Sequence, residues 1–410
     1  MRRRSVSLER SALGRIGCGL SALALLSPPL AHANEAEPVR VGAHLQSSLV
    51  ANPVGGSSQA ASWINGLWLQ IDLGSGLNRP QQQWREKDHW RLKLEAAGAR
   101  GNLHYSEQIG TSFPLQSLTA TGQWISELSV RREPGDGAIG LKAGLFALNP
   151  GQMESEVMNA YVHSAINDTF NNNVPGLPIA PFSSPGLQLS LKQPAGQGSQ
   201  LWTLGAFAIT PSTSFGQYIT ASGPPAESSG SVGLLQWQRR WSPASNAGRR
   251  PASRPAAAVP DLLPDPGLML GGYWSQTTPQ GRNRGLYGST TLDLPKRLRA
   301  GRSSRLWIAS QLGLDWQNNP APVFWGAGLL MQGLLPSRPL DISGIGGAST
   351  GFSPTLNPGQ SQESVLELNH QLQLSAGLSL KPFAQLILTP GGRSTVAAIV
   401  AAGLQASLQF

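Results

Sequence analysis

Glu154 and Glu156 stand two residues apart, with His163 and Asp168 close behind. On an extended strand such a pair shares one face. Carboxylates beside an imidazole are the material of acid–base catalysis or metal binding, but neither set is completed here. The six His, at 32, 44, 89, 104, 163 and 370, include no ligand pair at helical spacing. Gly347-Ala-Ser-Thr-Gly351 spells G-x-S-x-G. A nucleophile elbow needs a strand before it and a helix after it. This one reads as a Gly-rich loop ahead of Phe352-Ser-Pro354. No phosphate-binding glycine loop is followed by Lys-Ser/Thr. The sequence therefore predicts no catalytic residue, metal site or cofactor. What remains are scattered groups suited to hydrogen bonding: Arg91, Lys93, Glu95, Arg282, Arg284 and Arg338, with Trp68 and Trp307 as flat apolar surfaces.

The elements that would carry these residues are extended. From Val396 to Phe410, the residues Val396, Ala398, Val400, Ala402, Leu404, Ala406, Leu408 and Phe410 fall on one strand face. Ala401, Gly403, Gln405, Ser407 and Gln409 fall on the other. An apolar face backed by a small or polar one suits a strand between lipid and a wet lumen. The N-terminus agrees. A basic region from Met1 to Arg15 precedes the apolar run Ile16–Leu26, the break Ser27-Pro28-Pro29, and the small-x-small sequence Ala31-His32-Ala33. That order predicts an export signal over residues 1–33, too short in its apolar part to span a bilayer. A lipoprotein site at Cys18 would need its apolar run before the cysteine, and here the run follows.

Beyond residue 33 the chain has no cysteine, which excludes disulfide staples and Cys-ligated zinc. Residues 1–33 hold five Arg and one Glu, so 26 basic and 21 acidic residues remain, a net of +5. That excess is not clustered as on a nucleic-acid-binding surface. Charged residues make up 13% of the chain, well below a soluble domain, and no segment reads as a transmembrane helix.

Alternation like that of the last strand recurs at 62–73, 89–96, 124–132, 139–147, 187–192, 201–209, 232–241, 268–275, 285–294, 306–316, 323–332, 365–374 and 378–388. Weaker candidates at Val41–Leu49 and Ala99–Tyr105 bring the count to about sixteen, an even number as in single-chain bacterial barrels. The expected fold is all-β: a transmembrane antiparallel β-barrel with a water-filled lumen, spanning 62–410 after a lead-in at 34–61. Trp63, Trp90, Trp124, Trp241 and Trp316 sit at strand ends and suit an interfacial girdle. Ser164–Gly186, with Asn171-Asn172-Asn173 and four Pro, reads as a constriction folded into the lumen or as a plain outer loop. Pro243–Pro266 reads as a mobile, low-complexity insertion.

Several stretches resemble the carbohydrate-selective porin family of bacterial outer membranes. They include Trp124-Ile-Ser-Glu-Leu128 with Leu141-Lys-Ala-Gly144, and the run Asn159–Phe170 through Pro185-Gly186-Leu187. Gly281-Arg-Asn-Arg-Gly-Leu-Tyr-Gly288 is the most specific. Gly326-Ala-Gly328, Gly333-Leu-Leu-Pro-Ser-Arg-Pro339, Glu363–Leu368 and Leu378-Ser-Leu-Lys-Pro382 follow in the family's order. Arg131-Arg132 departs from the neutral pattern expected there. The resemblance implies a sixteen-stranded outer-membrane channel passing small sugars and similar polar solutes by diffusion. It also implies contact with outer-membrane lipid and, by analogy, a homotrimer. On that reading Arg282, Arg284, Arg338, Glu154, Glu156, Asp168, Arg91, Lys93, Glu95, Trp68 and Trp307 would line the pore. A general or weakly anion-selective porin and a structural barrel without an open channel are the alternatives. An enzyme embedded in a barrel is disfavoured, since no catalytic set emerges.

Overall fold

The computed structural model describes residues 39–74, 89–102, 104–118, 121–133, 139–149, 151–167, 177–180, 182–196, 198–209, 229–241, 259–278 and 281–410. The expected export signal at 1–33 lies outside them. The described residues form sixteen strands. The first eight are β1 Val39–Val54, β2 Ala61–Gly74, β3 His89–Gly101, β4 Gly122–Glu133, β5 Ile139–Phe146, β6 Ser184–Ala195, β7 Gly198–Ile209 and β8 Ser229–Arg240. The rest are β9 Gly267–Thr278, β10 Gly281–Asp293, β11 Ser303–Gly313, β12 Val323–Gln332, β13 Ile342–Gly351, β14 Gln362–Gln373, β15 Leu378–Leu388 and β16 Ile399–Gln409. Each strand pairs antiparallel with its chain neighbours, and β1 pairs with β16 to close the barrel. β1 begins the barrel at Val39, so part of the expected lead-in 34–61 is wall.

Phase decides which way each side chain points. On β16, Val400, Leu404 and Phe410 are exposed on the outer wall, while Ile399, Ala401 and Gln405 are buried on the inner one. Gln405 Nε2 donates to Ser48 Oγ at 3.3 Å, and Ser407 Oγ meets His44 Nε2 at 2.9 Å. The outer wall carries Leu67, Leu69, Leu187, Leu204, Leu286, Ile308, Leu366 and Leu368, all exposed on the isolated chain. Trp63, Trp90, Trp241 and Trp316 are exposed as well. Trp124 is not part of that girdle: it is buried, packed edge-on against Phe182.

Two strand expectations change. Ala99–Tyr105 is no separate strand. Residues 99–101 finish β3, and Tyr105–Ile109 form a short helix, α1. The stretch Gly347–Gly351, expected as a loop, belongs to β13, pairing with Val323–Ala327 on β12 and with Gln362–Leu366 on β14. Its four glycines hide the alternation that marks other strands. Neither flanking element supplies the helix a nucleophile elbow requires.

The chain's two strand ends, at Val39 and Gln409, lie at the same rim, the terminal end. The opposite rim carries the long connections 102–121, 147–183 and 210–228, against 241–266 at the terminal rim. Longer loops face the exterior in outer-membrane barrels, which makes that rim the extracellular one.

An outward position should reject charge that an inward one accepts. Leu368→Arg should lower folding stability in vesicles by about 2–4 kcal/mol, while Gln371→Arg on the inner phase of the same strand should cost far less. Urea titration of both variants tests this; equal losses would contradict the assigned phase.

Candidate functional site

The inner wall is not uniformly polar. On β7–β10, Phe207, Ile209, Val232, Leu234, Met269, Tyr273 and Tyr287 point inward and are buried. An apolar wall facing water is unfavourable, at roughly 1.5–3 kcal/mol per large side chain. Two connections fold into the barrel and cover it. From 147–183 come Met153, Val157, Met158, Tyr161, Val162 and Ile166; from 102–121 come Tyr105, Ile109, Phe113 and Leu115. A second short helix, α2 Ser164–Asn167, ends the described part of the longer inward segment.

Polar side chains of the wall lock these segments in place. Glu367 on β14 accepts the backbone N–H of Val162 at 2.8 Å and of His163 at 2.7 Å. It also accepts Asn369 Nδ2 at 2.7 Å and Gln385 Nε2 at 3.0 Å. Glu363, four residues earlier and so on the same face, accepts the N–H groups of Ser112, Phe113 and Gly391 at 2.8, 3.3 and 2.5 Å. Lys381 Nζ and Asn369 Nδ2 both donate to Ala160 O. Gln236 on β8 closes the other flank, accepting Met153 N at 2.9 Å and donating to Gly151 O at 3.2 Å. A carboxylate taking several N–H groups replaces the water those groups lost.

Tyr161 is a buried aromatic anchor. Its hydroxyl donates to Ile345 O at 3.0 Å and accepts Trp307 Nε1 at 3.0 Å. Its ring lies against Gly346 and its hydroxyl against Gly328, where a Cβ would come within 2.7 and 2.5 Å of them. Glycine at these wall positions is what lets the loop approach so closely.

A charged patch occupies the wall formed by β3, β4 and β5. Register places Arg91 beside Arg131, Glu95 beside Glu127, and Arg131 beside Lys142. Lys93 Nζ meets Glu95 at 2.9 Å and Glu127 at 3.3 Å. Glu127 also takes Arg131 at 3.0 Å and Lys142 at 2.9 Å. Four cations thus face two carboxylates. Arg131, set apart earlier as a departure from the family pattern, joins this patch. Glu127, Arg131 and Lys142 are absent from the expected lining, although the phase of β4 and β5 puts them beside Lys93.

The other expected residues scatter. Trp68 points inward and stacks on His44, with ring centroids 5.1 Å apart. Glu156 forms an ion pair with Arg240 of β8, both about half exposed. Glu154 braces its own loop, accepting Gly151 N at 3.1 Å and Asn159 Nδ2 at 2.5 Å. Asp168 lies outside the described residues.

Three arginines and one tryptophan correct the expected lining. Arg282 and Arg284 fall on the outward phase of β10, alternating with the inward Asn283 and Gly285, and pair with Asp315 at 3.5 and 3.0 Å. Arg338 sits in the β12–β13 turn and clamps Asp341 at 2.5 Å. None of the three faces the lumen. Trp307 does point inward, but Tyr161 covers it and it is fully buried. Of the expected constriction at 164–186, Ala165, Ile166 and Leu177 join the inward apolar cluster, and residues 168–176 and 181 lie outside the described residues. The inward segment runs through 151–167, with 105–118 beside it.

His163 is fully buried, and its Nδ1 accepts Ala165 N at 3.1 Å. Burial without a counter-charge drives its pKa down to about 3. The ring is therefore neutral at ordinary pH. Among the described residues no group of three His, Cys, Asp or Glu is placed to hold a metal.

Comparison with known proteins matches this geometry. Residues 308–410 match the model of the carbohydrate-selective porin, OprB family. The high-pH structure of Pseudomonas putida OprB aligns at TM-score 0.70 and 17% identity, covering 91% of this chain and 94% of that one. Salmonella typhi OmpF, in complex with daunomycin, aligns at 0.54 and 8% identity, covering 91% and 97%. The outer membrane channel DcaP of Acinetobacter baumannii aligns at 0.52 and 10%, again covering 91% and 97%. At these identities the structures show a shared fold. No curated protein matches the chain. The family resemblance is borne out over the C-terminal strands.

Two outcomes follow from the anchors. Glu367→Ala strands several buried N–H groups, at about 1–3 kcal/mol each. It should loosen 151–167 and give a larger, noisier single-channel current; a wild-type trace would contradict the anchoring. His163 has a folded pKa below its free value of 6.5, so the segment loses stability as pH falls from about 6.5 toward 3 and gains nothing above that range. Current noise should rise between pH 7 and pH 4 in the wild type and much less in His163→Gln. Equal acid responses would contradict it.

Proposed function

We propose that this chain is an outer-membrane channel passing small carbohydrates and similar polar solutes by passive diffusion. The observation that carries the reading is a closed sixteen-stranded barrel with a lipid-facing apolar exterior, narrowed from inside by anchored loops. The family match over residues 308–410 supports carbohydrate as the solute class.

Inside the barrel, charged and hydrogen-bonding groups meet the passing solute. Arg131 on one wall, and Glu156 with Arg240 on the other, stay in contact with water. Sugar hydroxyls both donate and accept, so they can exchange water for carboxylate and guanidinium partners without needing a net charge. Trp68 adds a flat apolar surface for the CH face of a sugar ring. Selection would rest on width and on these groups, with no bond made or broken. The protein is on this reading a channel rather than an enzyme. Assembly as a homo-oligomer, a trimer by analogy with other porins, belongs to the same proposal.

The second reading, weak anion selectivity, has its own observation: four cations against two carboxylates on the β3–β5 wall. Proteoliposome swelling separates the readings. Monosaccharides should enter fast, disaccharides more slowly, and the reversal potential in a salt gradient should show at most a modest anion preference. Strong anion preference with no sugar entry would overturn the carbohydrate reading. A folded protein with no permeability at all would favour a structural barrel.

A further inference from the structure

The connection between β8 and β9 emerges at the terminal end, opposite the inward loops. Its described part, Val259–Pro266, does not hang free as a mobile insertion would. Trp241 N donates to Pro266 O at 3.0 Å, which starts the segment under the β8–β9 hairpin. From there it runs inside the mouth along the wall formed by β9–β12. Arg305 Nε on β11 donates to Pro264 O at 2.9 Å. Gln332 on β12 accepts Leu262 N at 2.7 Å and donates to Pro260 O at 2.8 Å.

Ser303, Arg305 and Gln332 all lie on the inward phase of their strands and are buried. The segment that bonds them is therefore inside the mouth. Three strand spacings separate β9 from β12, roughly 14 Å. Six extended residues reach roughly 20 Å, enough to make that crossing. Arg305 is the pin. It takes Asp261 and Asp293 at 2.8 Å each, with its side chain only 6% exposed. Asp261 also accepts Ser303 Oγ at 2.9 Å. Leu263 is buried in the same apolar cluster as Leu330 and Met269. Leu262, its neighbour, remains 44% exposed.

We infer that Val259–Pro266 forms a second narrowing at the terminal mouth, in series with the inward loops, and helps set the size of solute that leaves the channel. The inference rests on the channel reading above. A solute crossing the barrel meets the loop constriction first and this chord second. Resistances in series add, so the chord limits conductance only where its free cross-section rivals that of the loops.

The test uses the full-length protein in planar bilayers. Asp261→Ala with Gln332→Ala loosens the segment by removing its bonds to Ser303 and Gln332 and its ion pair with Arg305, and leaves Arg305 its partner Asp293. Single-channel conductance should rise by about 1.5-fold or more, and trisaccharide entry should gain more than monosaccharide entry. The second variant is Leu262→Cys, which leaves the anchors intact. Reaction with a bulky thiol reagent should cut its conductance, with reagent-treated wild type unchanged. Wild-type conductance in the double variant, together with an unaffected current in labelled Leu262→Cys, would overturn the second narrowing. A wild-type protein that never conducts would instead overturn the channel reading on which it rests.

Discussion

In hydrocarbon no water is available to an unpaired peptide group, and each one left open costs several kcal/mol. Everything else in this molecule follows from meeting that demand with strands alone. Among the described residues no helix is long and apolar enough to span. Sixteen strands pair in chain order, and the β1–β16 register from His44 with Gln409 to Val54 with Val400 removes the last free edge. Closure then fixes side-chain direction. Once each backbone group is paired, alternate residues have only two places to go, and the sequence must be apolar where that place is lipid.

Closure also creates an interior with no core of its own. A barrel this wide is not filled by its wall side chains. Here the space is divided. One part of the wall, β7–β10, is apolar and is sealed by the inward loops; another, β3–β5, is charged and pairs its cations and carboxylates within the wall. The division depends on buried carboxylates. Glu363 and Glu367 each accept two N–H groups from loops more than two hundred residues away in sequence. They hold irregular backbone inside the barrel, where it is tolerated only when its polar groups are satisfied.

The fold was legible because lipid imposes a period of two. Leu366, Leu368 and their polar partners on β14 announce a strand, as do Leu404 and Gln405 on β16. Where side chains vanish the signal goes with them, which is why β13, with Gly344, Gly346, Gly347 and Gly351, shows no alternation and its end Gly347–Gly351 resembles a loop. The site was less legible. Arg282 and Arg284 look like solute-binding donors by type, yet their phase on β10 turns them outward to Asp315. Glu127 and Lys142 line the interior, but nothing in their local spacing distinguishes them until register sets β4 between β3 and β5. The reach of Glu367 to Val162 and His163 is a tertiary fact, with no trace in the neighbouring sequence.

The central claim is an open aqueous path shaped for sugars, narrowed but not sealed by what folds into it. Its most direct test is the current through single purified channels as a monosaccharide or disaccharide is added. A solute that occupies the constriction displaces ions, so conductance should fall with sugar concentration and level off at a finite block. A current that ignores sugar at every concentration, in a channel that conducts salt, would contradict the account.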